Sequence, residues 1–228
     1  MSEQIQVLDK GFVRLDAALA DDLRVVNSAR VSFNTRHEIM EDGDDKLINY
    51  LMKHKHGTPF EHNSICFHVK APIFVFREWH RHRIGVSINE WSARYAQMKS
   101  EFYIPEVTNI REQIGKPGKY TYVPAPQDKA AEFIDSLRTS CKIAFNTYEA
   151  AIENGIAKEQ ARLMLPVNTY SEMYWTCNAR SLMAFLSLRN TDQAQWEIRM
   201  FAVAMESIFL KLMPITYKSF IDNGRIAP

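Results

Sequence analysis

The sequence predicts an α+β fold: a few strands in one sheet, with long helices packed on it. Three stretches carry that prediction. Residues 64–70 alternate, with Ile65, Phe67 and Val69 on one side and Ser64, Cys66, His68 and Lys70 on the other. That is the period of a half-buried strand. Residues 167–176 are rich in Tyr, Thr and Trp, which favour strands. Between Asp128 and Asn154, Ile134, Leu137, Cys141, Phe145, Tyr148 and Ile152 recur every three or four residues, and Gly155 follows where a helix ends. The strands suffice for one sheet and not for a sandwich. At 228 residues, one domain over 1–228 is expected.

The remaining elements follow in order. Residues 4–15 alternate loosely around Gly11, predicting a strand, a turn and a strand. A helix is expected over 19–31, with Asp21 and Asp22 near its positive end and Ser32 just past it. Residues 36–45 are polar and predict a loop, and 46–54 predict a helix through Leu47, Ile48, Leu51 and Met52. Gly57 and Pro59 break it. Pro72 opens a further helix that runs through Phe76 and Trp79. Residues 100–105 form a short aromatic segment, and 108–129, with their prolines, glycines and charges, predict a loop. A short helix over 158–165 stops at Pro166, another opens at Asn178 and ends near Arg189, and a final one spans 195–213. Pro214 closes it, and the tail after Tyr217 is expected to be peripheral.

Composition excludes several classes. A net charge of +1 gives no global field for nucleic acid or membrane, so any anion must be held by a local cluster. No apolar run reaches the roughly 18–20 residues of a membrane span. Cys66, Cys141 and Cys177 form no CxxC pair and no secretory signal precedes them, which predicts a reducing, cytoplasmic setting. Cys141 falls on the apolar face of its helix and reads as core. Neither GxGxxG nor GxxxxGK[ST] occurs. Six of the seven histidines lie between His54 and His82, yet their spacings match no zinc motif, so no metal is expected.

The chemistry concentrates in residues 77–95, which hold Arg77, Arg81, Arg83, Arg94, His80, His82, Glu78, Glu90, Ser87, Ser92 and Asn89. Guanidinium groups beside hydroxyls suit an anion held in one orientation, such as a phosphate. The same composition is compatible with a solvated, salt-bridged helix and turn, or with a nucleic-acid-binding module. A hydrolase built on the histidines is a further alternative.

The order of the residues favours the first reading. Arg81-His82-Arg83, then Asn89-Glu90, Ser92 and Arg94-Tyr95, resembles the signature of flavin-dependent thymidylate synthases, written RHR, seven residues, then S. Segments 29–33, 56–62, 70–75, 101–105, 178–183 and 194–198 are also similar to family segments and come in the family's order. Eight residues separate Arg83 from Ser92, and the extra one is expected in a loop before Asn89. Glu78 stands where relatives carry a Gln that contacts nucleotide, and Ala184 and Gln193 where they carry Asn and His that contact flavin.

The resemblance implies a twisted, mainly antiparallel sheet with long helices, assembled into a homotetramer with shared active sites. It implies conversion of dUMP to dTMP, with methylenetetrahydrofolate as carbon donor, NADPH as reductant, FAD as hydride carrier and no cysteine nucleophile. It assigns Ser32, His56, Thr58, Glu61, Arg81, His82, Arg83, Asn89, Glu90, Asn178, Arg180 and Gln193 to FAD. It assigns Glu78, Arg81, Glu90, Ser92, Ala93, Arg94, Arg162 and Arg189 to dUMP, with Arg189 catalytic at the uracil.

Overall fold

The computed structural model describes residues 4–228. In chain order the strands are β1 (Gln4–Val7), β2 (Gly11–Leu19), β3 (Ser64–Pro72), β4 (Val86–Glu90), β5 (Arg111–Lys116), β6 (Lys119–Pro124) and β7 (Tyr170–Cys177). The helices are α1 (Asp22–Arg30), α2 (Asp44–Lys53), α3 (Ile73–Trp79), α4 (Gln127–Glu153), α5 (Lys158–Ala161), α6 (Ala179–Arg189), α7 (Trp196–Leu212) and α8 (Pro214–Asp222). Five strands form one antiparallel sheet in the order β1-β2-β3-β7-β4, as the α+β reading expects. β5 and β6 make a separate hairpin.

One sheet face is dry. Ile65, Phe67, Val69 and Ala71 of β3 and Met173, Trp175 and Cys177 of β7 are buried there, against α3, α6 and α7. Trp79 is the hub. Its ring lies 5.8 Å from Trp175, 4.8 Å from Phe185 and 6.0 Å from Phe201. Aromatic contacts of this kind add directional preference to large buried areas, and they fix where α3 ends. The opposite face is polar: His68 stacks on Tyr174 at 4.8 Å and bonds Arg14 and Glu172. A smaller apolar cluster of Met98, Phe102, Cys141, Phe145, Tyr148 and Ala161 seats α4, with Cys141 in it as its spacing predicts.

The structure corrects four expectations. β2 runs to Leu19, so α1 starts only at Asp22, where the Asp21 side chain caps the N–H of Arg24 at 2.8 Å. The 108–129 loop contains the β5–β6 hairpin and the start of α4. Pro214 does not end the helical region. It opens α8, since proline is tolerated in a first turn, and Asp22 accepts bonds from the N–H groups of Ile215 and Thr216 at 2.9 and 2.8 Å. The tail is therefore not peripheral, and Phe220 is buried in the main core. Asn89 lies within β4, and the turn over 80–85 is the loop that precedes it. β4 pairs with β7 without a bulge from Val86 to Glu90, and Trp91 N–H continues to the Glu172 carbonyl at 2.8 Å. The preceding turn ends at Gly85, whose φ of +67 suits glycine.

Candidate active site

α3 closes at Trp79 and the chain turns through His80–Gly85 before entering β4. This places the Arg81-His82-Arg83 run on a turn anchored by the buried indole below it. Opposite stands the N-terminus of α6, where Asn178 accepts from the N–H of Ser181 at 2.8 Å. Ser181 donates through its hydroxyl to the Ile84 carbonyl at 2.9 Å, tying the turn to the helix. Side-chain atoms at residue 85 are excluded. A Cβ there would lie 2.5 Å from Ser181 Oγ and 3.1 Å from Asn178 Nδ2.

A cavity of about 600 Å³ opens between them, lined by Glu61, Arg81, His82, Arg83, Asn178 and Arg180, with Ser181 and Ala184. Six of the residues assigned to flavin thus converge. Arg180 is held by Glu61 at 2.6 Å and by the Pro228 carbonyl at 2.7 Å. Arg81 and Arg83 are exposed and have no ion-pair partner among the described residues. Ser32, on the 3-10 turn Val31–Phe33, and His56 and Thr58 are exposed and do not line this cavity. Asn89 shares the polar sheet face with Tyr174, its partner across β4–β7.

A second cavity, about 490 Å³, is lined by Arg77, Glu90, Ser92, Ala93 and Arg162. Arg77 and Arg162 have no ion-pair partner among the described residues; Arg162 Nε donates only to the Glu159 carbonyl at 3.2 Å. Arg94 points away and pairs with Glu159 at 3.1 Å. His80 Nε2 is buried without a hydrogen-bond partner and lies 3.7 Å from Glu90.

A third cavity, about 640 Å³, holds Glu78, Arg189 and Gln193. Arg189 donates to the Glu78 carboxylate through Nη1 at 2.8 Å, to the Glu78 carbonyl through Nη2 at 3.0 Å, and to His82 Nε2 through Nε at 3.0 Å. Burial, and secondarily the Arg189 charge, push His82 down to about 4 from its ordinary 6.5. Burial raises Glu78 above the usual carboxylate range; the Arg189 charge opposes this and Glu197 adds to it.

The nucleotide assignments therefore divide in one chain. Glu90, Ser92, Ala93 and Arg162 share one cavity, Glu78 and Arg189 another, and Arg81 lies with the flavin set. Sequence reading passed over two lining residues. Arg77 stood in the arginine-rich stretch without an assigned part, and Ser181 was signalled by its place three residues after the capping Asn178. Among the described residues no group of three His, Cys, Asp or Glu side chains is arranged to hold a metal ion. No helix there is long and apolar enough to cross a membrane.

Comparisons with known proteins bear on the family and the fold. The family model described as "Thymidylate synthase complementing protein" matches residues 15–215. The flavin-dependent thymidylate synthase of Thermosipho melanesiensis is 46% identical over 219 residues, 96% of this chain and 93% of that protein. That of Streptomyces coelicolor is 43% identical over 228 aligned residues, covering 95% of this chain and 93% of that protein. Among solved structures, the UMP/dUMP methylase PolB from Streptomyces cacaoi bound with 5-Br dUMP superposes with a TM-score of 0.89. It is 44% identical, with 98% of this chain and 100% of that one covered. A family match over most of the chain, relatives above 40% identity and a shared fold lead to one conclusion: the chain belongs to the flavin-dependent thymidylate synthase family.

Proposed function

We propose that this protein methylates dUMP to dTMP, using FAD, NADPH and methylenetetrahydrofolate. The observation that carries the reading is a set of four arginines without ion-pair partners among the described residues, Arg81 and Arg83 in one cavity and Arg77 and Arg162 in another. An unneutralised guanidinium is costly unless water or an anion answers it, and bidentate phosphate contact is its strongest use. Two such cavities suit two phosphate-bearing ligands.

The first cavity fits FAD. Arg81, Arg83 and Arg180 supply charge for a pyrophosphate, and Asn178 and Ser181 supply polar contacts. FAD bound there would carry reducing equivalents from NADPH to the nucleotide. Ser32, His56, Thr58, Asn89, Glu90 and Gln193 would complete this site from elsewhere. The second cavity would take the nucleotide phosphate on Ser92, Ala93, Arg77 and Arg162. Arg94 would join after leaving Glu159, a surface pair of small energy. Arg189 would meet the uracil ring and stabilise the negative charge that develops there.

Arg162 and Arg189 line different cavities of one chain, which supports a nucleotide site completed by residues from more than one subunit. A homotetramer with shared sites provides them. Leu163 and Leu188, 80% and 64% exposed beside Arg162 and Arg189, are suited to burial in such an assembly. Cys177 is not suited to act as a nucleophile. Cys177 is fully buried, burial pushes its thiol well up, and a protonated thiol is a poor nucleophile.

The test is reconstitution of the purified protein with FAD, NADPH, methylenetetrahydrofolate and C5-tritiated dUMP. Tritium release and dTMP are expected from the wild type and from Cys177→Ala. Arg189→Ala is expected to bind FAD and release no tritium. Near-normal release from that variant would remove Arg189 from the uracil site.

A further inference from the structure

Arg189 links two cavities through one hydrogen bond. It lines the third cavity with Glu78, and its Nε reaches His82, which lines the first. An arginine can only donate, so His82 Nε2 must accept. Neutral imidazole has one acceptor and one donor nitrogen, so the proton resides on Nδ1. The ring nitrogen left for a ligand is then a donor.

What holds Arg189 in this pose is Glu78. Its carboxylate and its own backbone carbonyl take Nη1 and Nη2, which leaves Nε directed at His82. Side-chain exposures of 19% for Arg189 and 25% for Glu78 make the pair partly desolvated, where geometry is worth more than on the surface. Asp192 lines the same third cavity but is taken by Arg199 at 2.6 Å. Glu197 of α7 faces Glu78, and Glu197 accepts from Tyr103 at 3.3 Å and from Gln195 at 2.8 Å. Phe185 of α6 packs edge-on against His82 at 4.9 Å, and Arg81 and Arg83 flank it in sequence. None of these offers Arg189 a second carboxylate.

We propose that Glu78 is a positioning residue: it sets Arg189 in advance and, through it, fixes His82 as the Nδ1–H tautomer. The proposal rests on the reading of Arg189 as the uracil-side residue and of His82 as a wall of the flavin cavity. The relay thereby joins the two ligand positions. It presents a donor to flavin-ring acceptors on one side and a balanced guanidinium to the pyrimidine on the other. A glutamine at residue 78 could still accept one bond from Nη1 and would leave the Arg189 charge unbalanced.

Nitrogen-15 NMR of the histidine rings tests this in the full-length protein, with and without FAD and without nucleotide. The wild type is expected to show a neutral Nδ1–H signature for His82 at pH 7, titrating at about 4. Glu78→Ala is expected to mix the tautomers, raise the His82 titration and lower kcat on the order of 10²-fold. Glu78→Gln is expected to keep the signature and most of kcat, with a changed KM for dUMP. An Nε2–H signature in the wild type would overturn the proposal whatever the activity, and so would a His82 spectrum unchanged in Glu78→Ala. The wild-type spectrum decides even where Glu78→Ala fails to fold. A wild type with the expected signature but no dTMP formation would uphold the relay and overturn the functional reading alone.

Discussion

Gly57 lies against Arg180, which lines the first cavity: a Cβ on Gly57 would stand 2.4 Å from Arg180 Cζ and 2.6 Å from its Nε. Gly57 is buried, and its backbone, at φ −73, is one that alanine adopts. The constraint is therefore steric and falls on the guanidinium. Glycine here gives Arg180 the space in which it reaches both Glu61 and the Pro228 carbonyl.

Gly57→Ala should accordingly separate binding from folding. The displaced atoms are the end of a flexible side chain, so the fold should lose less than about 1 kcal/mol. FAD affinity should fall about tenfold as Arg180 is driven from its pose. Thermal denaturation and fluorescence titration with FAD measure the two effects separately.

Much of this site was legible because it is local. Arg81-His82-Arg83 and Asn178-Ala179-Arg180 are short runs whose order carries their identity, and the first cavity brings them together. What escaped was long-range. Pro214 reads as a stop, but Asp22, nearly two hundred residues earlier, accepts the first N–H groups of α8 and turns the stop into a start. The β5–β6 hairpin also escaped. Its residues are largely exposed, so no buried side imposes an alternating pattern, and its glycines and charges resemble a loop. The split of the nucleotide set between cavities was not legible from the residues themselves, because Arg162 and Arg189 look alike as charges near helix ends; only the family resemblance implied shared sites.

Ser92→Ala should weaken dUMP binding without ending turnover. Ser92 Oγ accepts from the Arg94 N–H at 3.3 Å and lines the second cavity beside Arg162, a place suited to holding a phosphate. KM for dUMP should rise about tenfold with kcat within about threefold of wild type. Steady-state kinetics decides; complete loss at saturating dUMP would indicate a nucleophilic role.

His82 should make stability depend on pH. Its folded value is about 4 against an ordinary 6.5, with burial the main cause and Arg189 the second. Between those values the unfolded chain binds the extra proton and the folded one does not, so stability falls as pH drops through this window and is level above it. The ring is partly solvated, which limits the effect to about 1–2 kcal/mol. Denaturant unfolding of wild type and His82→Gln at pH 7.5, 6 and 5 should show the difference between them changing with this sign, and other groups cancel in the comparison.

The central claim is that Arg162 and Arg189 serve one nucleotide site from different subunits, and subunit complementation tests it most directly. Arg162→Ala and Arg189→Ala should each be inactive at low dUMP. Co-expressed and purified as mixed oligomers, they should recover about a quarter of wild-type tritium release, because random pairing leaves about that share of sites with both arginines intact. Mixed oligomers as inactive as either parent would place both arginines of each site in one chain and contradict the account.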